Sequence, residues 1–259
     1  MILRLGFSFL LACVLAFGAI HAETPRATPP LRAPQTGFNF PLRRTLNYAV
    51  DWRVFPAGIA SFHQETDGNL ERVSVTADTM GAVNLLFRVT DRFQSSFNRE
   101  TGCSESFSKQ LVEGRRRVNS YMSFNYTRDQ AVYTEKNLVS GISQRKQVTI
   151  PPCVTDSLSA IFYAASQPMP VGGSFQFPLA DATQTVLVTM KVESREEIKT
   201  PAGTFQTIRV EPTADAGVVK HRGNIWVWYT DDDRHIPVQM RARLFWGTIT
   251  FRLTSIEPK

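Results

Sequence analysis

From Leu46 onward the chain alternates. In TLNYAVDW, Leu46, Tyr48, Val50 and Trp52 fall on one side of an extended backbone, and Thr45, Asn47, Ala49 and Asp51 on the other. A period of two is the signature of a strand with one buried face. FPAG breaks it as a turn and IASFHQET resumes it. The same pattern recurs in RVSVTAD, LLFRVTDRFQSSF, RRVNSYMSFNY, AVYTEK and KQVTI, then in TVLVTMKVES, TFQTIRVEP, NIWVWY, VQMRARLFW and TITFRLTSI. About a dozen strands are expected, and their spacers are too short for helical crossovers, which makes the pairing antiparallel. The apolar phase flips at Gly247, from even-numbered Leu244 and Trp246 to odd-numbered Ile249, Phe251 and Leu253, which requires a turn or bulge there.

One segment has a different period. In PPCVTDSLSAIFYAAS, Leu158, Ile161, Phe162 and Ala165 recur at helical spacing. This predicts a helix of about three turns near residues 155–166, with Thr155 or Asp156 as its N-cap. The fold class that follows is all-β and mainly antiparallel: a barrel or strongly curved sheet with one packed α-helix.

Ahead of the strands the pattern changes again. Arg4 precedes the apolar run LGFSFLLACVLAFGAI over residues 5–20, and IHA offers cleavage after Ala22. Residues 1–22 therefore read as a secretory signal peptide. LLAC, ending at Cys13, resembles a lipobox, but seven mostly apolar residues follow that cysteine where a lipoprotein turns polar. Export takes precedence over lipidation. Residues 23–43 carry five prolines and no periodicity, and read as an extended leader or linker before a single β-rich domain at 44–257. No later run approaches the ~18 apolar residues of a transmembrane helix. A periplasmic or secreted protein is expected, peripheral to the membrane at most.

Export bears on the cysteines. If Cys13 leaves with the signal, Cys103 and Cys153 remain, and in an oxidising compartment a disulfide is the default. The alternative is two buried free thiols. No histidine lies near either, so zinc-ligand spacing is missing. The formal net charge of +6 is spread along the chain and reads as a solvated surface; no nucleic-acid partner is expected.

Motifs that carry chemistry are scarce. Outside the signal the histidines are His63, His221 and His235, and none forms a paired ligand motif. There is no G-x-S-x-G elbow and no phosphate-binding glycine loop. Asp156-Ser157 is better explained by helix capping than as part of a triad. Asp51 and Asp78, on strands, are placed to pair with arginines, and Arg115–Arg117 read as a solvated hairpin more than as an anion clamp. Asp231, Asp232 and Asp233 lie between two strands, where a hairpin needs residues that bond their own backbone. A calcium loop would alternate its ligands and add a glycine and a distal glutamate. No catalytic residue, cofactor or metal site is expected. Trp52, Trp226, Trp228 and Trp246 are the candidates to line an apolar ligand pocket, with ordinary core packing as the alternative.

The stretches LNYAVDWRVFPAGIASF, PAGTFQTIRVEP and IWVWYTDDDRHIPVQMRARLFWGTITFRL, with CVTDSLSAIFYA as a central helix, resemble the bacterial domain of unknown function 3108 family over about residues 40–256. The resemblance implies a β-rich, envelope-associated domain and carries no activity, cofactor or catalytic residue. The function expected is non-catalytic: binding of a lipid or other apolar small ligand in a barrel-like interior. A scaffold module binding envelope proteins and a glycan-acting enzyme remain as alternatives.

Overall fold

The computed structural model describes residues 29–214, 223–245 and 247–258. The signal peptide at 1–22 with Cys13, the start of the leader, His221 and Trp246 lie outside the described residues. Eight strands come first: β1 (Arg43–Trp52), β2 (Phe55–Asp67), β3 (Leu70–Thr79), β4 (Thr90–Asn98), β5 (Ser104–Glu113), β6 (Arg116–Asn125), β7 (Gln130–Asn137) and β8 (Ser143–Thr149). A short helix, α1 (Gly81–Leu86), lies between β3 and β4. Then come α2 (Ser159–Ala165) and six more strands: β9 (Ser174–Asp181), β10 (Gln184–Thr200), β11 (Gly203–Ala214), β12 (Asn224–Thr230), β13 (Pro237–Leu244) and β14 (Gly247–Pro258).

All fourteen strands form one antiparallel sheet in the order β8-β7-β6-β5-β4-β3-β2-β1-β14-β13-β12-β11-β10-β9. Every neighbour pair is a hairpin except β1 with β14, where Leu46 faces Ile256 and Tyr48 faces Leu253. The sheet is not closed: β8 and β9 are its edges. Both edges are protected. The exposed β8 carries Arg145 and Lys146, and edge charge discourages further strand pairing. The free side of β9 is taken by residue 155, since Thr155 N–H donates to Pro178 O and Ala180 N–H to Thr155 O.

The segment joining the two edges fills the space inside the curve. Helix α2 touches both wings: the rings of Phe162 and Phe62 lie 6.5 Å apart, those of Tyr163 and Phe177 5.1 Å. Tyr229 Oη–H donates to Ile161 O at 2.8 Å, and His235 Nδ1 lies 2.7 Å from Ala165 O. A carbonyl only accepts, so Nδ1 of His235 carries the proton. Around the helix the inward residues of both wings make one core, including Leu46, Tyr48, Val73, Phe97, Phe177, Val210 and Leu253. From Pro29 on, the proline-rich leader packs on α2: Gln35 N–H donates to Ser166 O, and Phe40 is buried.

The helix is shorter than its sequence period suggests, seven residues and not three turns. Its start is set by Asp156, whose Oδ1 accepts the N–H groups of Leu158 and Ser159 at 2.8 and 3.0 Å. Its end is set by Ser166, whose hydroxyl donates back to Tyr163 O at 2.7 Å, ahead of Pro168 and Pro170. The other carboxylate oxygen of Asp156 accepts the hydroxyls of Ser95 and Ser104, each at 2.7 Å. The ion is fully buried and fully bonded. Next to it a disulfide joins Cys103 and Cys153, whose Cα atoms are 5.1 Å apart. Gly102 lets this corner form. Its φ is +79°, and a Cβ there would lie 2.7 Å from the Tyr163 ring.

Two strands are not among the stretches that the sequence pattern picks out, β5 and β9; β9 alternates through Phe175, Phe177 and Leu179, whereas β5 does not. The inward side of β5 holds the buried Ser104 and the half-buried Lys109. Its buried face is partly polar because it serves Asp156. LLFRVTDRFQSSF, which reads as one strand, divides: Leu85 and Leu86 belong to α1 and are exposed, and β4 begins at Thr90. Gly81, at φ +55°, turns the chain out of β3 before the next strand can pair.

Asp156→Ala should cost about 3–5 kcal/mol, because two buried hydroxyls and two helix N–H groups lose their acceptor together. Urea unfolding measures it; a loss under about 1 kcal/mol, the range of a simple exposed cap, contradicts the account. Replacing both Cys103 and Cys153 by Ser should remove about 4 kcal/mol, the chain-entropy value for the 50-residue separation.

Candidate functional site

Of the predicted tryptophans, Trp52, Trp226 and Trp228 lie among the described residues, and these three do not meet at one pocket. Trp228 pairs across the sheet with Gln239 and Arg209, and Trp226 with Arg241, on the face turned away from the core. The Trp228 indole N–H donates to Glu196 at 2.9 Å, and the Arg241 guanidinium lies 5.3 Å from its ring centre. Glu196 also receives Arg209, which is paired in turn with Glu193. Trp228 is thus buried under a layer of ion pairs on the outer face. Trp52 is half-buried at the end of β1, under Arg53. The inner residues Val227, Tyr229 and Met240 alternate with Trp226 and Trp228 along the same strands. A sequence shows such a two-sided apolar strand without saying which side is covered by salt bridges.

The aspartates at 231–233 form the β12–β13 connection. Asp232 Oδ1 accepts the Thr230 hydroxyl at 2.7 Å and the Arg234 N–H at 3.1 Å, closing the turn on its own backbone. Burial works against its ionisation, but the hydrogen bonds from Arg234 and Thr230 win and hold the carboxyl below its ordinary range. Asp231 pairs with Arg195 at 2.6 Å. Asp51 and Asp78 pair with Arg252 and Arg92. No group of three or more metal-ligating side chains occurs among the described residues.

A cleft of 350 Å³ opens at the rim where β1 and β13 begin. Phe38, Phe40, Phe162, Ala165, Ile236 and Ile256 supply apolar walls, and Arg43, Arg44, Gln64 and Arg234 the polar ones. Its volume is at the lower end of the range for small-molecule sites, roughly 300–1,000 Å³. A larger hollow of 520 Å³ runs over the outer face of β5–β8, but Tyr121 is the sole aromatic among its polar walls. No aliphatic or phenylalanine side chain lines it, so the smaller cleft, with its phenylalanine and isoleucine walls, is the better built site.

The charges of the cleft are unequal. Arg43 is paired with Glu65, and Arg234 with Asp232. Arg44, half-buried between them, has no carboxylate partner among the described residues; its Nε and Nη2 donate to a single atom, Oε1 of Gln64, at 2.9 and 2.6 Å. The amide of Gln64 points on to Glu71 Oε1 at 3.4 Å, and the Thr66 hydroxyl donates to Glu71 Oε2 at 2.7 Å. Burial pulls the Arg44 pKa down, against the attraction of Tyr48 and Glu71. Burial pushes Glu71 up to about 7, despite the hydrogen bond from Thr66 and the cations Arg44 and Arg99. No signal in the order of residues points to this site. Arg44 and Gln64 sit at inward positions of their strands, where alternation predicts apolar residues, and the cleft wall from Phe38 to Pro41 lies in the segment read as a linker.

A protein-family model described as a protein of unknown function, DUF3108, matches residues 47–254, most of the chain. The chain belongs to the DUF3108 family. No curated protein matches it. Among solved structures the chain is similar to the beta-barrel-like protein of domain of unknown function DUF1849 from Brucella abortus. The TM-score is 0.57 at 8% identity, over 85% of this chain and 98% of that one. A protein with YmcC-like fold from Bacteroides fragilis aligns over 85% of this chain and 97% of its own, with TM-score 0.38 and 8% identity. At such identity the first likeness speaks for a shared barrel-like fold. The DUF3108 membership and this fold agree with the β-rich architecture that the strand pattern predicts.

The buried glutamate sets a pH dependence. Its folded pKa, about 7, is above the ordinary 4.5, so the folded state holds the proton longer than the unfolded chain. The associated stability is complete below about pH 4.5, falls as pH rises, and is gone above about pH 7. Glu71→Gln mimics the protonated acid. Relative to the parent it should gain on the order of 2–3 kcal/mol between about pH 5 and about pH 8. Asp91, raised to about 6 by burial, has the same sign and cancels in that difference. Denaturant unfolding at the two pH values measures it, and parallel profiles for the two proteins would refute the assignment.

Proposed function

We propose that this protein is a non-catalytic component of the cell envelope that binds a single-chain amphiphile with an anionic head, such as a fatty acid, in the cleft above Arg44. One observation carries the reading: a half-buried guanidinium, without a carboxylate partner among the described residues, stands beside an apolar wall of phenylalanine and isoleucine. A carboxylate or phosphate would supply the missing acceptor for Arg44, whose fork of donors suits either. An acyl chain would lie on Phe38, Phe40 and Ile256. The 350 Å³ suits one chain better than a complete two-chain phospholipid. Inside the curve there is no room for a ligand without displacing α2, so the mouth of the sheet takes the role expected of its interior. The envelope location is supported by the apolar segment after Arg4 and by the disulfide, which belongs to oxidising compartments.

Oleate titration, followed by calorimetry or by displacement of a fluorescent fatty acid, tests the reading. The parent should bind saturably with 1:1 stoichiometry. Arg44→Met, which keeps the length of the side chain, should weaken binding about 10- to 100-fold, the worth of a charge-assisted hydrogen bond. Phe38→Ala should weaken it through the chain contact alone, for uncharged analogues as well. Absence of saturable binding, or unchanged affinity in Arg44→Met, would overturn the proposal.

A further inference from the structure

The rim opposite the cleft is built differently. Five successive connections lie along it: β13–β14, β1–β2, β3–β4 with α1, β5–β6 and β7–β8. Backbone hydrogen bonds stitch each to the next. Arg53 N–H donates to Thr248 O, Met80 N–H to Ala57 O, Gly114 N–H to Arg88 O and Leu138 N–H to Arg117 O. At roughly 4.8 Å per strand, the five tips span about 40 Å along the sheet.

Nine of the fourteen large hydrophobic residues exposed among the described residues fall in these connections, and Phe55 opens β2 beside them. Leu85 is 87% exposed, Leu86 84%, Val54 82% and Phe245 fully so. Phe55 and Val139, at 61% and 66%, extend the row on either side. The same connecting residues contain Arg53, Arg88 and Arg115 and no aspartate or glutamate. The turns of the cleft rim mix both signs, with Glu100, Asp129 and Asp231–Asp233 beside Arg99, Arg128 and Arg234. Single exposed apolar side chains need no explanation, but a contiguous apolar row does.

We propose that this rim docks the protein on an anionic phospholipid surface, the apolar tips entering the headgroup–acyl boundary and the arginines meeting lipid phosphates. Charge complementarity selects this occupant. A row of cations without a carboxylate in the same connections fits a field of phosphates, and the most exposed apolar side chains stand at the tips beside them. Shallow insertion of several apolar side chains backed by arginines is how peripheral proteins gain reversible membrane affinity. The proposal is independent of the cleft.

Protein recovered after export is mixed with vesicles of phosphatidylethanolamine and phosphatidylglycerol, or of phosphatidylcholine alone, and sedimented. The parent should partition at least tenfold more strongly onto the anionic vesicles, and salt should weaken that binding. The pair Leu85→Asp and Leu86→Asp, and separately Arg88→Glu with Arg115→Glu, should each lower it at least tenfold. Both lie on exposed tips, so melting temperature should hold, and the oleate titration should match that of the parent. Equal partition of parent and both variants would overturn the proposal, as would failure of the parent to bind anionic vesicles. A parent dimer that the Leu85 and Leu86 changes dissolve, without vesicle binding, would overturn it in favour of a second copy of the chain.

Discussion

The buried carboxylate of Asp156 is the interaction on which the rest of this structure depends. An open sheet of fourteen strands has two edges and a hollow, and neither is stable in water. The hollow and the β9 edge are managed by the segment that joins β8 to β9, while β8 carries its own charges, and that segment is anchored by one side chain. Asp156 receives two hydroxyls from the β4–β5 wing and two N–H groups from the first turn of α2. A charge taken out of water without such partners would be costly, whereas one with four donors holds the helix in place and in register. The disulfide lies next to this hub, so covalent and polar anchors act on the same corner, and Thr155 between them pairs with β9. The core packing of Phe162, Tyr163 and Tyr229 then follows from where the helix has been set.

Much of the architecture could be read from the chain because one-sided strands announce themselves. Leu46 and Tyr48 are buried as their alternation predicts, and the phase change at Gly247 is the turn between β13 and β14. The reading fails where an inward face is polar for a reason that lies elsewhere. Strand β5 looks irregular because Ser104 serves a carboxylate 52 residues away. The candidate site fails for the same reason. Arg44, Gln64 and Glu71 occupy inward positions on three adjacent strands, and nothing in the order of residues says that these three side chains meet. The tryptophans show the converse. Trp228 is as buried as a core residue, yet its cover is a set of ion pairs on the outer face. Burial and membership of the inner core are separate properties on a sheet whose outer face is itself well covered.

The two rims differ by the logic of their turns. At the cleft rim the connections are closed by side chains bonding the backbone, as Asp232 and Asn98 do. Such turns are polar by construction. At the opposite rim side chains also close turns, as Asn137 does for Val139 and Ser140, but backbone groups stitch each connection to its neighbour, and the apolar tips take no part in either. Leu85, Leu86 and Val54 stabilise nothing visible within the chain, so their apolar character asks for a cause outside it.

Within the cleft, the position of Gln64 decides the electrostatics. Had Glu71 reached Arg44 directly, the two would have formed a buried salt bridge with no charge left for a ligand. Gln64 separates them, taking two donors of Arg44 on its carbonyl oxygen and turning its amide toward Glu71. The separation weakens the attraction enough that burial, and not the cation, sets the state of Glu71, whose pKa rises to about 7. A protonated Glu71 leaves Arg44 as an unbalanced cation in a half-apolar site, the condition under which an anion gains most from binding. An anion seated at Arg44 in turn makes ionisation of Glu71 harder. Proton uptake by the glutamate and the proposed anion binding at the arginine would therefore be coupled with the same sign, through the one amide side chain between them.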